Sequence, residues 1–177
     1  MAGVRPRLEA PFPQRSGGWR SVRVVLLMHT LVCFTLDETR YAVPAERVLE
    51  IVARVMLTPL PAVPSPIVGV FSYRGVPMAA VDLRARLGHP TRSPARDDHF
   101  LVVRSARRDV ALVVDRVNTT EPLADRVVCP PPLPARHLVG VVALDDGLLL
   151  IEDLDAALSL DEERAIDAGL RDLGAPS

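Results

Sequence analysis

The sequence predicts an all-β protein with minor α content, in which one small β-unit is built twice and a short C-terminal helix follows. The first reason is an internal repeat. Pro66-Ile67-Val68-Gly69-Val70, Asp82-Leu83 and Leu87 recur without a gap, 71 residues later, as His137-Leu138-Val139-Gly140-Val141, Asp153-Leu154 and Leu158. Upstream, Leu31-Val32 through Glu46-Arg47-Val48 runs parallel to Leu101-Val102 through Asp115-Arg116-Val117, with a slippage of one residue. The second reason is composition: 49% of the residues are hydrophobic but only 4% aromatic, so the core must come from Val, Leu, Ala and Ile, in short runs that favour strands. The third is the 17 prolines that punctuate those runs and argue for many short elements.

Taken in order, residues 1–27 hold Arg5, Pro6, Arg7, Pro11, Pro13, Gly17 and Gly18 with little apolar patterning, and read as a disordered extension. Met28, just before the first strand-like run, is a second candidate translation start. Residues 28–160 form the folded domain. Thr30–Leu36 reads as a strand, Asp37-Glu38-Thr39 as a turn and Arg40–Pro44 as the hairpin partner. Ala45–Val55 is apolar at Val48, Ile51, Val52 and Val55, which leaves helical and extended conformations open. Thr58–Pro66, with four prolines, is an extended connector.

Ile67–Tyr73 and Val76–Val81 form a hairpin around Arg74-Gly75, because Gly75 accepts the positive φ of a tight turn. Asp82 caps one helical turn that Gly88 ends. The plan then repeats: strands at Phe100–Ser105 and Val110–Val114, a Pro-rich connector at Cys129–Pro134, and a hairpin of Leu138–Leu144 with Leu148–Ile151 around Asp145-Asp146-Gly147. Residues 161–177 are the C-terminal helix and tail. Ser159-x-x-Glu162 is a capping box, Ile166, Leu170 and Leu173 share a face, and Gly174 stops the helix. Gly169 weakens it by roughly 1 kcal/mol relative to Ala, so the helix depends on docking.

Charge excludes several functions. The net charge is −1 and offers nucleic acid no global field. It is unevenly spread: from Glu152 onward there are eight acids and two arginines, against 14 acids and 19 arginines before it. Arg84–Arg108 carries seven arginines, the basis of an alternative reading as a nucleic-acid-binding tandem β-barrel protein using segment 84–108. Phe100 is the one aromatic interleaved there, too few for base stacking, so a solvated loop and the polar face of a strand is the preferred reading. All 21 basic residues are arginine, which base composition explains.

Cys33 and Cys129 make neither a metal motif nor a dense disulfide framework, which fits a reduced, cytosolic compartment. Val22–Leu36 falls short of the ~20 apolar residues a membrane span needs. His29, His89, His99 and His137 lack i,i+4 pairing and read as loop or surface residues. Phosphate-binding Gly-rich loops and Gly-x-Ser-x-Gly are missing, and Asp82 and Asp153 are better explained as N-caps than as an acid–base pair. No enzyme chemistry and no cofactor or metal is expected.

From Leu31 to Leu158 the chain resembles the CheW-like domain family of bacterial chemosensory systems. The resemblance rests on Leu31-Val32-Cys33-Phe34-Thr35-Leu36 with Tyr41-Ala42-Val43-Pro44, on Val48-Leu49-Glu50-Ile51, on Pro61 through Val68-Gly69-Val70, on Arg74-Gly75 with Asp82-Leu83, and on Val113-Val114-Asp115-Arg116-Val117. It implies two small SH3-like five-stranded β-barrels with a groove between them. It further implies a standalone, non-enzymatic adaptor between the cytoplasmic tip of chemoreceptors and the regulatory domain of a CheA-type histidine kinase. Such a protein would be cytoplasmic, associated with receptor arrays at the inner membrane and not itself inserted in it. By this resemblance Glu50 and Arg74 form a partner-binding pair, with Gly75, Val48, Gly69 and Asp82 as binding or structural positions. Three positions depart from the family pattern: Ala62 stands where Asn or His is usual, Ala79 replaces a proline, and the hairpin reads Ser72-Tyr73-Arg74-Gly75 instead of Asn-Leu-Arg-Gly.

Overall fold

A computed structural model describes residues 30–122, 128–131, 137–156 and 158–172. The expectations for residues 1–27, Met28, His29, Leu173 and Gly174 lie outside these. The elements are β1 (Thr30–Leu36), β2 (Thr39–Pro44), a 3-10 turn (Ala45–Arg47), β3 (Val48–Ala53), β4 (Ile67–Tyr73), β5 (Val76–Asp82) and α1 (Leu83–Leu87). The second round comprises β6 (His99–Arg104), β7 (Asp109–Val114), β8 (Arg116–Pro122), β9 (Val128–Cys129), β10 (Leu138–Leu144), β11 (Gly147–Glu152), a 3-10 turn (Leu154–Ala156) and α2 (Leu160–Asp172). The segment left open between helix and strand is thus a single 3-10 turn followed by β3.

The strands form two sheets, ordered β8-β1-β2-β11-β10-β9 and β3-β6-β7-β5-β4. With β8 matched to β3, β1 to β6, β2 to β7, β11 to β5 and β10 to β4, the two orders are identical, as the repeat requires. The match extends to register. Gly69 lies opposite Ala80 just after a bulge, and Gly140 lies opposite Ile151 just after another. Val70 bridges Thr58 as Val141 pairs with Cys129. The repeated units are not the two halves of the chain, however. Hairpin β1-β2 completes the sheet built by the second half, and β6-β7 completes the sheet built by the first. Each insertion is sealed by a parallel pairing, Ala42 with Ile151 and Ala111 with Ala80.

This exchange explains why whole strands are apolar. Alternate residues of β6 and β7 serve different cores. Phe100, Val102, Ala111 and Val113 pack with Phe71, Met78 and Ala80 inside the five-stranded sheet. Leu101, Val103, Val110, Leu112 and Val114 face a larger core shared with Val32, Phe34, Leu36 and Val43 of the other sheet. Leu31, Cys33 and Ala42 point the other way, onto Val142, Leu149 and Ile151. Strands buried on both faces read as unbroken apolar runs. Much of the space between the sheets is therefore filled by this shared core. Leu154, Leu158 and Ile166 extend that core toward α2.

The capping expectations hold. Asp82 Oδ1 accepts from the Arg84 amide at 2.9 Å, and Gly88 ends α1 in the left-handed region. Asp153 Oδ1 accepts from the Asp155 amide at 3.0 Å. Ser159 and Glu162 complete the capping box, with reciprocal bonds of 2.7 and 3.3 Å. Gly169 has a packing reason: a Cβ there would stand 3.2 Å from Leu60, which lies against the helix. β8 and β9 were not anticipated. β8 is a polar sequence recruited by pairing with β1, and β9 is two residues at the entry to the Pro-rich connector.

Three outcomes are expected. A Cβ on Gly69, at φ +141°, would meet the Thr58 carbonyl oxygen at 2.6 Å. Gly69→Ala should cost about 2–3 kcal/mol in urea unfolding, and Gly140→Ala less, because its obstacle is the Val128 side chain and not backbone. Ala62 adopts φ 57°, a region that Asn tolerates better than Ala, so Ala62→Asn should raise the unfolding free energy by up to about 1 kcal/mol, read from urea denaturation. Finally, Glu152 is 4% exposed, and burial, with a smaller push from Asp153, raises its carboxyl to about 8 from an ordinary 4.5. Between these values the unfolded chain ionises first, so wild-type stability falls as pH rises from about 4.5 and levels off above 8. Glu152→Val should lack this decline and become the more stable protein by more than ~1 kcal/mol at pH 9, measured as matched denaturation curves.

Candidate functional site

β3 and β4 are the two edges of the five-stranded sheet, and polar side chains tie these edges together. The β4-β5 turn needs two successive residues with positive φ, Arg74 at 53° and Gly75 at 84°, which matches the twist of a tight hairpin. The turn projects Arg74 at the tip beside Tyr73. Glu50, half-buried in β3, receives both neighbours on one oxygen. Tyr73 donates its hydroxyl to Oε2 at 2.6 Å, and Arg74 Nη2 donates to the same atom at 2.8 Å. The guanidinium also lies 5.2 Å from the centre of the Tyr73 ring. The Tyr73 hydrogen bond, followed by Arg74, holds the Glu50 carboxyl below its ordinary range, while the same bond raises the Tyr73 phenol. The result is an ionised, fixed carboxylate on an exposed seam.

Next to it along the chain, apolar side chains reach water. Leu49 and Ile51 of β3 are exposed, as are Val55 and Met56 just beyond it, Met56 to 94%, and Val76 next to the turn is 63% exposed. An edge strand with apolar residues facing water is a ready surface for another chain. The equivalent strand β8 is polar: Ile51 lies opposite Leu101 where Glu121 lies opposite Leu31, and Arg116 and Asn118 are the exposed residues at its start. The apolar stripe is therefore not a requirement of the fold.

Of the other positions singled out in sequence, Val48 packs half-buried against the main core, Gly69 admits the Thr58 backbone and Asp82 caps α1. The hydrogen bonds of Glu50 go instead to Tyr73 and Arg74. Tyr73 was noted only as a departure, and its role was not foreseen. Nor was a buried polar network centred on Arg84, which is 6% exposed. Its guanidinium bridges Asp37 of the β1-β2 turn and Asp115 after β7, and also donates to the Pro90 carbonyl at 2.8 Å. Arg92 joins Asp115 at 2.8 Å to Asp98 at 2.5 Å, and Arg54 holds Asp98 at 2.9 Å. Burial works against ionising Asp115, yet the Asp37 amide and the two arginines keep its carboxyl below the ordinary range.

His89 is not a surface residue. It is mostly buried, and its Nδ1 and Nε2 lie 3.0 Å from Asp37 and 2.8 Å from the Tyr41 hydroxyl. Burial, then Glu152 and Asp37, pushes the Tyr41 phenol up to about 12, so it serves as a neutral hydrogen-bonding link. Among the described residues no group of three or more His, Cys, Asp or Glu is arranged to hold a metal ion. No described helix is long and apolar enough to cross a membrane.

The Arg-rich segment does not present itself to a polyanion. Besides Arg84 and Arg92, Arg104 pairs with Asp109 at 3.2 Å, Arg107 with Glu163 at 3.2 Å, Arg86 with Glu162 and Arg108 with Asp167. Six of the seven arginines are spent on internal carboxylates, three of them on α2, and the nucleic-acid reading finds no support.

Similarity to known proteins follows the same lines. The chain is 28% identical over 140 residues to the probable chemotaxis protein CheW of Rhizobium etli, covering 76% of this chain and 90% of that protein. It is 37% identical over 121 residues to protein FrzA of Myxococcus xanthus, covering 62% and 71%. The crystal structure of the scaffolding protein TtCheW from Thermoanaerobacter tengcongensis superposes with a TM-score of 0.70 at 26% identity, covering 77% of this chain and 91% of that one. The sequence model of the CheW-like domain matches residues 30–162. With the exchanged tandem sheets, the register of the repeat and this match in agreement, the chain belongs to the CheW-like domain family.

Proposed function

We propose that this protein is a non-enzymatic scaffold of bacterial chemosensory signalling, which couples the cytoplasmic tip of chemoreceptors to the regulatory domain of a CheA-type histidine kinase. Its place is the cytoplasm, at receptor arrays on the inner membrane. The observation that carries the reading is the seam of the five-stranded sheet: a carboxylate immobilised by two donors, bordered by exposed Leu49, Ile51 and Val76, on an edge whose counterpart in the other sheet is polar. An apolar patch supplies area, and a fixed charge supplies register and selectivity. The relatives named chemotaxis protein CheW and the neighbour titled a scaffolding protein support the same role.

Within this role Glu50 and Arg74 set the geometry of the contact, Tyr73 holds Glu50 in place, and Leu49 and Ile51 form the apolar face. Gly75 shapes the turn, while Val48, Gly69 and Asp82 support the barrel from behind. Because Arg74 and Glu50 both reach solvent, folding does not depend on their bridge.

In reconstituted assemblies of receptor, kinase and this protein, Arg74→Ala and Glu50→Ala should each lower kinase coupling at least several-fold with a nearly unchanged unfolding midpoint. Ile51→Asp should do the same by placing a charge in the apolar face. Undiminished coupling in all three variants would remove this seam from the interface.

A further inference from the structure

The second repeat carries a carboxyl where the first carries a core valine. Glu152 lies opposite Leu138 in β11, and Val81 lies opposite Ile67 in β5, each just before its capping aspartate. Val81 is fully buried and Glu152 nearly so. The fold thus accepts an apolar residue in this slot and has no architectural need of a charge, whose burial unpaired is costly. Glu152 Oε1 is buried without a hydrogen-bond partner. Beside it opens a cavity of about 110 Å³, walled by Pro44, Val139 and Leu154 on its apolar side and by Arg47, Asp153 and Asp155 with Glu152 on its polar side. Arg47 is committed elsewhere: its Nη2 pairs with Asp155 at 2.5 Å and its Nε donates to the Arg104 carbonyl at 2.6 Å. Among the described residues three acids and one arginine line the cavity. Asp155 Oδ1 is taken up by Arg47 and the Ala106 amide and Asp153 Oδ1 by the Asp155 amide, which leaves Glu152 as the acid without a partner.

We infer that this cavity is a binding site for a primary ammonium group on a short alkyl stem, with Glu152 as the acceptor. The balance of charge calls for a cation. The Glu152 carboxyl, with one buried oxygen unpartnered, suits the compact point charge of an ammonium better than a guanidinium, which wants two parallel acceptors. The apolar wall suits methylenes, and the volume, roughly that of three to four liquid waters, holds a terminal ammonium and part of its stem. No lysine of this chain fills the site, because the sequence contains none. Burial keeps the Glu152 carboxyl protonated up to about pH 8, so binding a cation releases that proton to solvent and strengthens as pH rises.

The test is an NMR titration of the intact protein with n-butylammonium, with Nα-acetyl-lysine methylamide as a second probe. Saturable shifts should centre on Val139, Leu154 and Glu152, with binding at least tenfold tighter at pH 9 than at pH 6. Glu152→Gln mimics the neutral form that the wild-type protein already adopts, so it folds, and its Kd for n-butylammonium should rise at least tenfold; methylguanidinium should bind more weakly than n-butylammonium to the wild type. Binding of both amines identifies a lysine side chain as an admissible ligand, and binding of n-butylammonium alone identifies a free amine; either outcome supports the site. Absence of saturable shifts at pH 9, or equal binding by Glu152→Gln, overturns it.

Discussion

Everything in this fold depends on two short parallel pairings, β2 with β11 and β5 with β7, through which each half of the chain lends a hairpin to the other. Neither half completes a sheet alone. The lent hairpins lie in the middle of their host sheets, so their strands are covered on both faces, and the core between the sheets is assembled from both hosts at once. This geometry dictates composition. A strand packed on two faces by close neighbours favours β-branched and small residues, which is why Val110–Val114 and Phe100–Val103 contain no polar residue and why Ala42, Ala80 and Ala111 stand at the parallel seams. It also makes folding a matter of distant contacts, since the closing pairs join residues roughly thirty to more than one hundred positions apart.

Charge forms the second layer of the same design. The uneven distribution along the chain is resolved in space: the acidic C-terminal segment lies against the basic middle, with Arg86, Arg107 and Arg108 reaching Glu162, Glu163 and Asp167 of α2, and Arg47 reaching Asp155. Most of these pairs are partly exposed and individually weak. Their value lies in selecting where α2 docks, while Ile166 and the Leu60–Gly169 contact supply the apolar anchorage. Arg84 differs. Deeply buried between Asp37 and Asp115, it fastens the turn of a lent hairpin to the end of a lent strand, and loss of both carboxylates would leave its charge stranded in the interior.

Much of this was legible in the sequence, for physical reasons that differ by element. The strands Thr30–Leu36, Ile67–Tyr73 and Leu138–Leu144 were read to the residue, because apolar runs ended at turns whose Asp and Gly residues need special backbone angles. β8 was missed because its extended shape comes from pairing with β1 and not from its own polar sequence. Repetition was visible, but the exchange of hairpins was not, since a periodic pattern does not say which copy a strand joins. The pairing of Glu50 and Arg74, at 2.8 Å, is expected from the place of Arg74 at a hairpin tip and of Glu50 between apolar neighbours, together with the family motifs. Tyr73, Arg84 and Glu152 escaped notice because each sits where its type looks ordinary: an aromatic in a hairpin, an arginine in an arginine-rich stretch, a glutamate ending a strand. Only the third dimension shows that Tyr73 is a hydrogen-bond donor to Glu50 and that the other two are buried.

Duplication itself offers the sharpest way to separate architecture from function in such a chain. Where both copies keep the same feature, as with the bulge before Gly69 and Gly140 or the caps at Asp82 and Asp153, the barrel geometry accounts for it. Where the copies diverge, the fold has been shown to accept either solution, and the divergence needs another cause. The apolar face of β3 against polar β8, and Glu152 against Val81, are two such places. They are also the places where the ordinary economy of folding is broken, once by leaving apolar side chains in water and once by burying a carboxyl without a partner. A protein that carries its own reference copy therefore marks its interaction chemistry by contrast, and it does so at positions that no single barrel considered alone would single out.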